Sequence, residues 1–308
     1  MLTRNLRYLL ALSVERHFAR AAAACQVTQP TLSAGIKHLE EELGVLIVQR
    51  GQRFEGFTAE GERILVWARR ILGDVESLHQ EVSVLRNQLV GRLRLGAIPT
   101  ALPLTAQLTT PFASAHPGVT ISVMSLSSVE IQRGLDDFTL DAGITYLDNE
   151  PLARVRGIPL YSERYFAVGT VQAGSNAEQM TWADAARLPL CLLTNDMQNR
   201  RILDATFAQA GQVVRPGIES NSVLAIVTHV RSGAWASIMP QSFLQFLPPD
   251  DEVRAIPLVD PVVSHQVGLV IPDREPLTPS ARALMGFASQ AMVVADLGAA
   301  TGARAGVP

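Results

Sequence analysis

The chain has 308 residues, 47% of them hydrophobic and 18% charged, with a formal net charge of −3. That length holds two or three domains. The balance excludes a largely disordered chain and a wholly basic nucleic-acid binder, while leaving room for a local basic surface. The opening run "MLTRNLRYLLALSVERHF" mixes polar side chains into its apolar residues and has no small-residue cleavage site, so it does not read as a signal peptide. No segment reaches about 18 uninterrupted apolar residues, so no membrane span is expected and the cytoplasm is the default location. Cys25 and Cys191, the only cysteines, sit in apolar contexts and are expected to be buried thiols.

From residue 4 to about 57 the pattern is short helices with tight turns. An alanine-rich run stops at Cys25–Gln26–Val27, and a second helix restarts at once with Thr28 as cap and Pro30 in its first turn. Leu32, Ile36, Leu39 and Leu43 share one face and are expected in the core. The opposite face carries Gln29, Pro30, Thr31, Ser33 and Lys37, and Glu40, Glu41 and Glu42 lie toward its far end. A helix, a tight turn and a helix place the second helix on the surface, free to enter a DNA major groove. There Gln29 can pair with adenine, while Pro30 and the Thr31 methyl can meet thymine methyl groups. The free N–H groups at the helix start attract phosphate. The segment "VQRGQRFEGFT" reads as a hairpin around Gly51 and Gly56, with Arg50 and Arg53 as phosphate or minor-groove contacts. A plain helical hairpin with a solvated polar face is the alternative.

One long helix is expected from 58 to about 89, ended by Gly91. Its Ile64, Ala68, Ile71, Val75, Leu78, Val82, Leu85 and Leu89 alternate spacings of four and three, the seam of a coiled coil, which predicts a dimerising helix, with an intramolecular core helix as the alternative. Two reading helices on one symmetric body would read a palindrome. Strand–helix alternation follows. Strands are expected at "RLRLGAI", "VTISVMSL", "DAGITY", "RYFAVGT", "LPLCLLT", "VVRPGIES", "AWASIMP" and "SHQVGLVIP". Helices are expected at "LTAQLTTPFASAHP", "SVEIQRGLDDF", "NRRILDATFAQAG", "SVLAIVTHVRSG" and "LTPSARALMGFASQAMVV". Such alternation implies parallel strands with helices on both faces. The tail "GAATGARAGVP" reads as flexible.

In this order and spacing, Phe18, Ala21, Ala22, the run Thr28 to Ser33, Ile36, Leu39, Glu40, Leu43, Gly44, Arg50, Arg53, Thr58 and Gly61 resemble the LysR-type transcriptional regulators, a likeness that extends over essentially the whole chain. The resemblance implies an α/β protein with an N-terminal all-α winged helix–turn–helix (residues 1–57) and a long dimerising linker helix (58–90). It also implies a two-lobed effector domain similar to periplasmic binding proteins (91–298), with lobe I at 91–163 and 266–298, lobe II at 164–265, and a tail at 299–308. It further implies double-stranded DNA, a small-molecule effector and copies of the chain itself, as homodimer or homotetramer, as partners, with RNA polymerase as a further one. Ala34–Gly35 stand where an arginine is usual, and Val48 stands for the usual phenylalanine before the wing.

Ligands of two-lobed α/β domains sit at the carboxyl ends of strands, where helix N-termini converge. Four such junctions here carry small polar residues: Thr100, Ser127–Ser128, Asn195 to Gln198, and Asn221–Ser222. Each alone is a simple helix cap; together they suggest a small anion held by hydroxyls and backbone N–H groups. Carried to Thr100, Ser127 and Gln198, the family pattern agrees, and Thr145 and Tyr146 are expected to line the same cleft. The effector domain also looks similar to regulators of one-carbon metabolism, which suggests formate or a like carboxylate. The six histidines are scattered without metal-ligand spacing, and no nucleophile elbow, phosphate loop or dinucleotide fingerprint occurs. Neither metal nor cofactor is expected, and an enzyme or a solute-binding protein on the same α/β domain is the weaker reading.

Overall fold

The computed structural model describes residues 1–50, 54–86, 88–170, 178–246 and 253–291; of these, the side chains of 50, 245, 246, 290 and 291 are left undescribed. The chain divides into two compact units: residues 1–91 with 136–139, and the remainder from residue 92.

The first unit is built on α1 (Leu2–Glu15), α2 (Phe18–Ala24) and α3 (Gln29–Leu43). The break between α2 and α3 is a turn in which Gln26 has a φ of 56°. The Thr28 hydroxyl then caps α3 by accepting from the Thr31 N–H at 3.4 Å. Leu32, Ile36 and Leu39 are buried with Leu6, Leu9, Leu12, Ala21 and Ala22 in one core. Leu43, expected with them, is 45% exposed: it is the last helical residue, where the chain turns away at Gly44.

Gly35 has a packing reason as well as a propensity cost. A Cβ there would lie 2.6 Å from the Tyr8 ring of α1, so the two helices approach closely only because this residue has no side chain. The wing is an antiparallel pair, β1 (Val48–Arg50) and β2 (Phe54–Phe57). Phe54 stacks edge-on against Phe18 and Phe57, which fastens the wing to α2.

Thr58 opens α4 (Ala59–Val84), accepting from Gly61 N at 2.9 Å while donating to the Leu46 carbonyl at 2.6 Å. The helix ends at Val84, with Leu85 as its cap, short of the expected 89. Ala68 is buried in the N-terminal core with Ile64 and Ile71 packed against it, whereas Leu78, Val82 and Leu85 are 62%, 42% and 84% exposed. The regular seam is thus two surfaces in succession: an intramolecular one, then an uncovered one. No helix among the described residues is long and apolar enough to cross a membrane.

The second unit has β3 (Val90–Ala97), a 3-10 turn (Pro99–Ala101), α5 (Leu102–Ala115), β4 (Gly118–Ser125), α6 (Ser128–Asp136), β5 (Ala142–Tyr146) and β6 (Val155–Thr170). It continues through β7 (Met180–Thr181), α7 (Trp182–Ala185), β8 (Cys191–Leu193), α8 (Gln198–Gln209), β9 (Ile218–Ser220), α9 (Val223–Arg231) and β10 (Ser237–Pro240). A 3-10 segment (Gln241–Phe246), β11 (Val253–Val259), β12 (Ser264–Pro272) and α10 (Pro279–Ala291) complete it. The main sheet runs β4-β3-β5-β12-β6-β11-β7, with β10 also on β6.

The expected all-parallel arrangement is corrected here. β3–β5 and β8–β9 are parallel, but β12 runs antiparallel to both β5 and β6, and β10 and β11 run antiparallel to β6. The cause is β6, a 16-residue strand of which the sequence pattern showed only the second half. Its residues up to Arg164 pair with β12, and from Tyr165 onward they pair with β10 and β11. One strand therefore serves both lobes.

Candidate nucleic-acid interface and effector cleft

On α3 the structure leaves Gln29, Pro30, Thr31 and Lys37 exposed and Ser33 partly buried, on the face opposite the buried leucines. Thr28 is exposed too, and its hydroxyl lies 2.8 Å from that of Thr31. Lys37 makes a 3.7 Å ion pair with Glu41 one turn on; both are 63% exposed, so the pair holds the ammonium only weakly. Arg50 closes β1, its side chain undescribed, and Arg53 lies outside the described residues.

Glu40 stands apart from Glu41 and Glu42, its neighbours at the far end of α3. It is buried, and its Oε1 accepts from Ile47 N at 2.9 Å and Val48 N at 3.1 Å. Two backbone donors on a buried carboxylate tie the wing's first strand to the reading helix, so the two contact elements are held as one piece.

Thr100, Thr145, Gln198 and Ser127 are all buried in the second unit. The Thr145 hydroxyl donates to Gln198 Oε1 at 3.4 Å, and the Gln198 amide donates to the Asn149 carbonyl and to its side-chain oxygen. Next to it, Asn199 Nδ2 donates to the Tyr146 hydroxyl at 3.1 Å; Thr100 Oγ1 lies 3.4 Å from that hydroxyl. Tyr146 in turn donates to Glu163 Oε1 at 2.5 Å. The first two residues of α8 thereby reach across to β5 and to Asn149 just beyond it, and Thr100 meets the same Tyr146 hydroxyl. Arg201 adds a pair with Glu150, at 2.9 Å from Nε and 2.5 Å from Nη2.

Ser127 belongs to a separate arrangement. Its N–H and hydroxyl both donate to Glu130 Oε2 at 2.8 Å, a capping box that already satisfies the start of α6. Asn221 is exposed and lines a cavity of about 680 Å³ with Pro99, Leu102, Glu130, Asp196 and Met197 among others. Asn195 is exposed and is not brought to either group; only its carbonyl is engaged, by Arg201. Arg200 is buried beside these junctions, and its donors are directed to Asp204, Glu219 and the Leu193 carbonyl.

Glu163, Asn199 and Asn149 escaped the sequence reading. Glu163 is 1% exposed, and burial raises its carboxyl to about pH 8, only partly countered by hydrogen bonding from Tyr146 and Tyr165. The signal was the alternation Tyr161–Ser162–Glu163–Arg164–Tyr165, which puts an acid between two tyrosines on one strand face. Cys191 is buried and Cys25 only half so, which corrects the expectation for Cys25; burial pushes both thiols up. Among the described residues no cluster of three or more His, Cys, Asp or Glu could hold a metal ion.

A surface helix–turn–helix with a wing, joined to a two-lobed α/β domain with a polar cleft, defines a ligand-responsive DNA-binding regulator. The chain belongs to the LysR family of transcriptional regulators: residues 3–62 match the bacterial regulatory helix-turn-helix protein model of the lysR family, and residues 86–293 match the LysR substrate binding domain. It is 30% identical over 279 residues to the DNA-binding transcriptional dual regulator OxyR of Escherichia coli, covering 89% of this chain and 90% of that one. It is 31% identical over 291 residues to the SDS degradation transcriptional activation protein of a Pseudomonas species, covering 92% and 94%. A full-length cysteine-to-aspartate variant of OxyR from Pseudomonas aeruginosa superposes with a TM-score of 0.74 at 26% identity, covering 96% of this chain and 95% of that one. CbnR in complex with its target DNA shares the fold, with a TM-score of 0.70 at 22% identity and coverage of 94% and 100%.

Proposed function

We propose that this regulator binds a palindromic operator as a dimer or tetramer, and that a small molecule in the cleft sets how it does so. Thr28, Gln29, Pro30, Thr31, Ser33 and Lys37 are the reading surface, with Arg50 and Arg53 of the wing as backbone contacts. The uncovered part of α4, centred on Leu78, Val82 and Leu85, meets a second copy, with Ile64, Ala68, Ile71 and Val75 continuing the line. The boundaries we favour are 1–57, 58–90 and 91–298, with the lobes exchanging within β6 near residue 164. Cytoplasmic location and contact with RNA polymerase belong to this reading, as does the lack of catalysis.

The single observation that carries the effector site is the pair Gln198–Asn199. These side chains begin α8 and hydrogen-bond to Thr145, Asn149 and Tyr146 on the other side of the cleft. A ligand that inserts among them favours one lobe arrangement over another, and only such differential binding can change the DNA-bound state. Thr100, Thr145 and Gln198 form the inner wall, Ser127 and Asn221 the rim, and Asn195 an outer position.

Two effector readings lose ground. The residues lining the cavity include Glu130 and Asp196 and no basic side chain, so a small anion, formate included, finds no counter-charge there; the OxyR and SDS-degradation relatives give no support for formate either. A relative named as a hydrogen peroxide-inducible genes activator, from Haemophilus influenzae, is 28% identical over 284 residues. In this chain, however, Cys191 is a buried thiol and Cys25 stands in the DNA-reading unit, so reversible ligand binding is favoured over thiol oxidation. The test is a protection footprint on DNA upstream of this protein's own gene, run with and without small-molecule panels. A protected dyad that changes with a ligand in the wild type, but not in Gln198→Ala, supports the reading. The absence of protection at about 50 mM salt, where phosphate contacts are strong, would defeat it.

A further inference from the structure

Three of the chain's four tyrosines, Tyr146, Tyr161 and Tyr165, gather around Glu163. Residues 161, 163 and 165 project from one face of β6, and Tyr146 comes from β5. Tyr146, Tyr161, Glu163 and Tyr165 are 0%, 8%, 1% and 3% exposed. Burial of this depth normally requires every polar atom to have a partner. Yet Glu163 Oε2 and the Tyr161 and Tyr165 hydroxyls have no hydrogen bond of good geometry, although Tyr165 lies near enough to Tyr146 and to the Glu163 carboxyl to interact with both. The cluster adjoins the cleft through chain neighbours: Pro99 and Met197 line the cavity, while Thr100 and Asn199 contact the Tyr146 hydroxyl.

Three buried oxygens without a well-formed hydrogen bond, one of them able to carry a negative charge, match the three donors of a primary ammonium group, and tyrosine rings suit a cation. The remaining wall agrees in sign. Glu130 and Asp196 are the charged residues lining the cavity, and Arg200 and Arg201 are already directed to Asp204, Glu219 and Glu150. Its other lining includes Leu102, Pro103, Val223, Leu224 and Phe243, which suit an apolar body behind the charged head.

We propose that the effector is a primary amine with an apolar body, its ammonium group held by Glu163, Tyr161 and Tyr165. The proposal rests on the cleft reading above. Empty, the Glu163 carboxyl keeps its proton up to about pH 8. Binding an ammonium ion requires the carboxylate, so one proton leaves as the amine enters. Affinity therefore rises about tenfold per pH unit between roughly pH 5.5 and 7.5 and levels off above 8. The groups facing Glu163 are Tyr146 on β5, Asp148 beyond it, Tyr161 and Tyr165 on β6, and His265 on β12. His265 pairs with Asp148 at 3.2 Å and lies edge-on to Tyr146 and Tyr165.

The test uses the full-length protein and three probes of similar shape: phenethylammonium, 2-phenylethanol and 3-phenylpropionate. Calorimetric titration should show binding of the cation alone, with proton release and the stated pH dependence. Glu163→Gln should abolish it; Tyr161→Phe and Tyr165→Phe, which keep the ring and fill the same space, should each weaken it three- to tenfold. His265→Gln should leave the pH dependence in place. Preference for 3-phenylpropionate, equal binding by Glu163→Gln, or no binding of any probe would overturn the proposal; in the last case the orphan oxygens hold water. The cleft reading fails separately, if bound probe leaves the footprint unchanged and Gln198→Ala does not alter binding.

Discussion

The two units use buried carboxylates in opposite ways. Glu40, in the DNA-reading unit, accepts two backbone N–H groups and locks the wing to α3, so its interactions are complete without any ligand. Glu163, in the effector unit, has one oxygen satisfied by Tyr146 and the other without a well-formed hydrogen bond. A buried polar group fully satisfied within the chain gives rigidity, and one left incomplete gives a place for something else to bind. The reading head is built to present one fixed shape, the cleft to change when occupied.

Four experiments bear on that contrast, in falling order of expected effect. Leu78→Asp puts a charge in the uncovered seam and should reduce operator affinity on the order of 100-fold or more through loss of the dimer, seen together by sedimentation and footprinting. A dimeric, fully active variant would move the interface elsewhere. Glu40→Ala leaves two buried N–H groups without an acceptor. It should lower the stability of the DNA-reading unit by about 2–4 kcal/mol in urea unfolding and loosen the wing, without altering ligand binding. Gln29→Ala should weaken operator binding by about 1–3 kcal/mol and relax the preference at one base pair, leaving the fold untouched in circular dichroism. Lys37→Gln should only reduce the slope of log affinity against log salt by about 1.

The pH dependence of stability gives a second axis. Glu163 keeps its proton in the folded chain to about pH 8, whereas an unfolded glutamate loses it near 4.5. Between those values the folded state binds more protons, so this residue lowers stability as pH rises through the window, and the loss is complete above 8. Glu163→Gln removes that slope, and thermal melts of the two proteins should diverge steadily from pH 5 to pH 8. Parallel melts would place the carboxyl in contact with solvent and remove the contrast with Glu40.

The reading head was almost wholly legible in the sequence because its information is local. The Thr28 cap, Pro30 in the first turn and the apolar face of α3 lie within sixteen residues, and the structure builds them as the spacing predicts except at Leu43. Glu40 was missed because its partners, Ile47 and Val48, are backbone groups that no side-chain pattern marks. The cleft was legible only in part. Thr100, Thr145 and Gln198, read from strand ends, are buried in one hydrogen-bonded group that includes Tyr146, whereas Asn195, chosen on the same logic, is exposed. Glu163 was missed although its stretch of β6 alternates buried and exposed residues, because a charged residue on the buried face does not read as core. The coiled-coil spacing of α4 likewise could not say where an intramolecular core ends and an uncovered surface begins.

The continuity of β6 has a mechanical consequence. The handover between Arg164, paired to Ser264, and Tyr165, paired to Pro240, occurs without a break in the strand. At that place the lobes are joined by a beam and not by a loose link, and a beam of β-strand yields by twisting about its own length. Glu163 sits one residue before the handover. A molecule that grips its carboxyl is therefore gripping the axle, and a small torque there is felt at the far ends of both lobes.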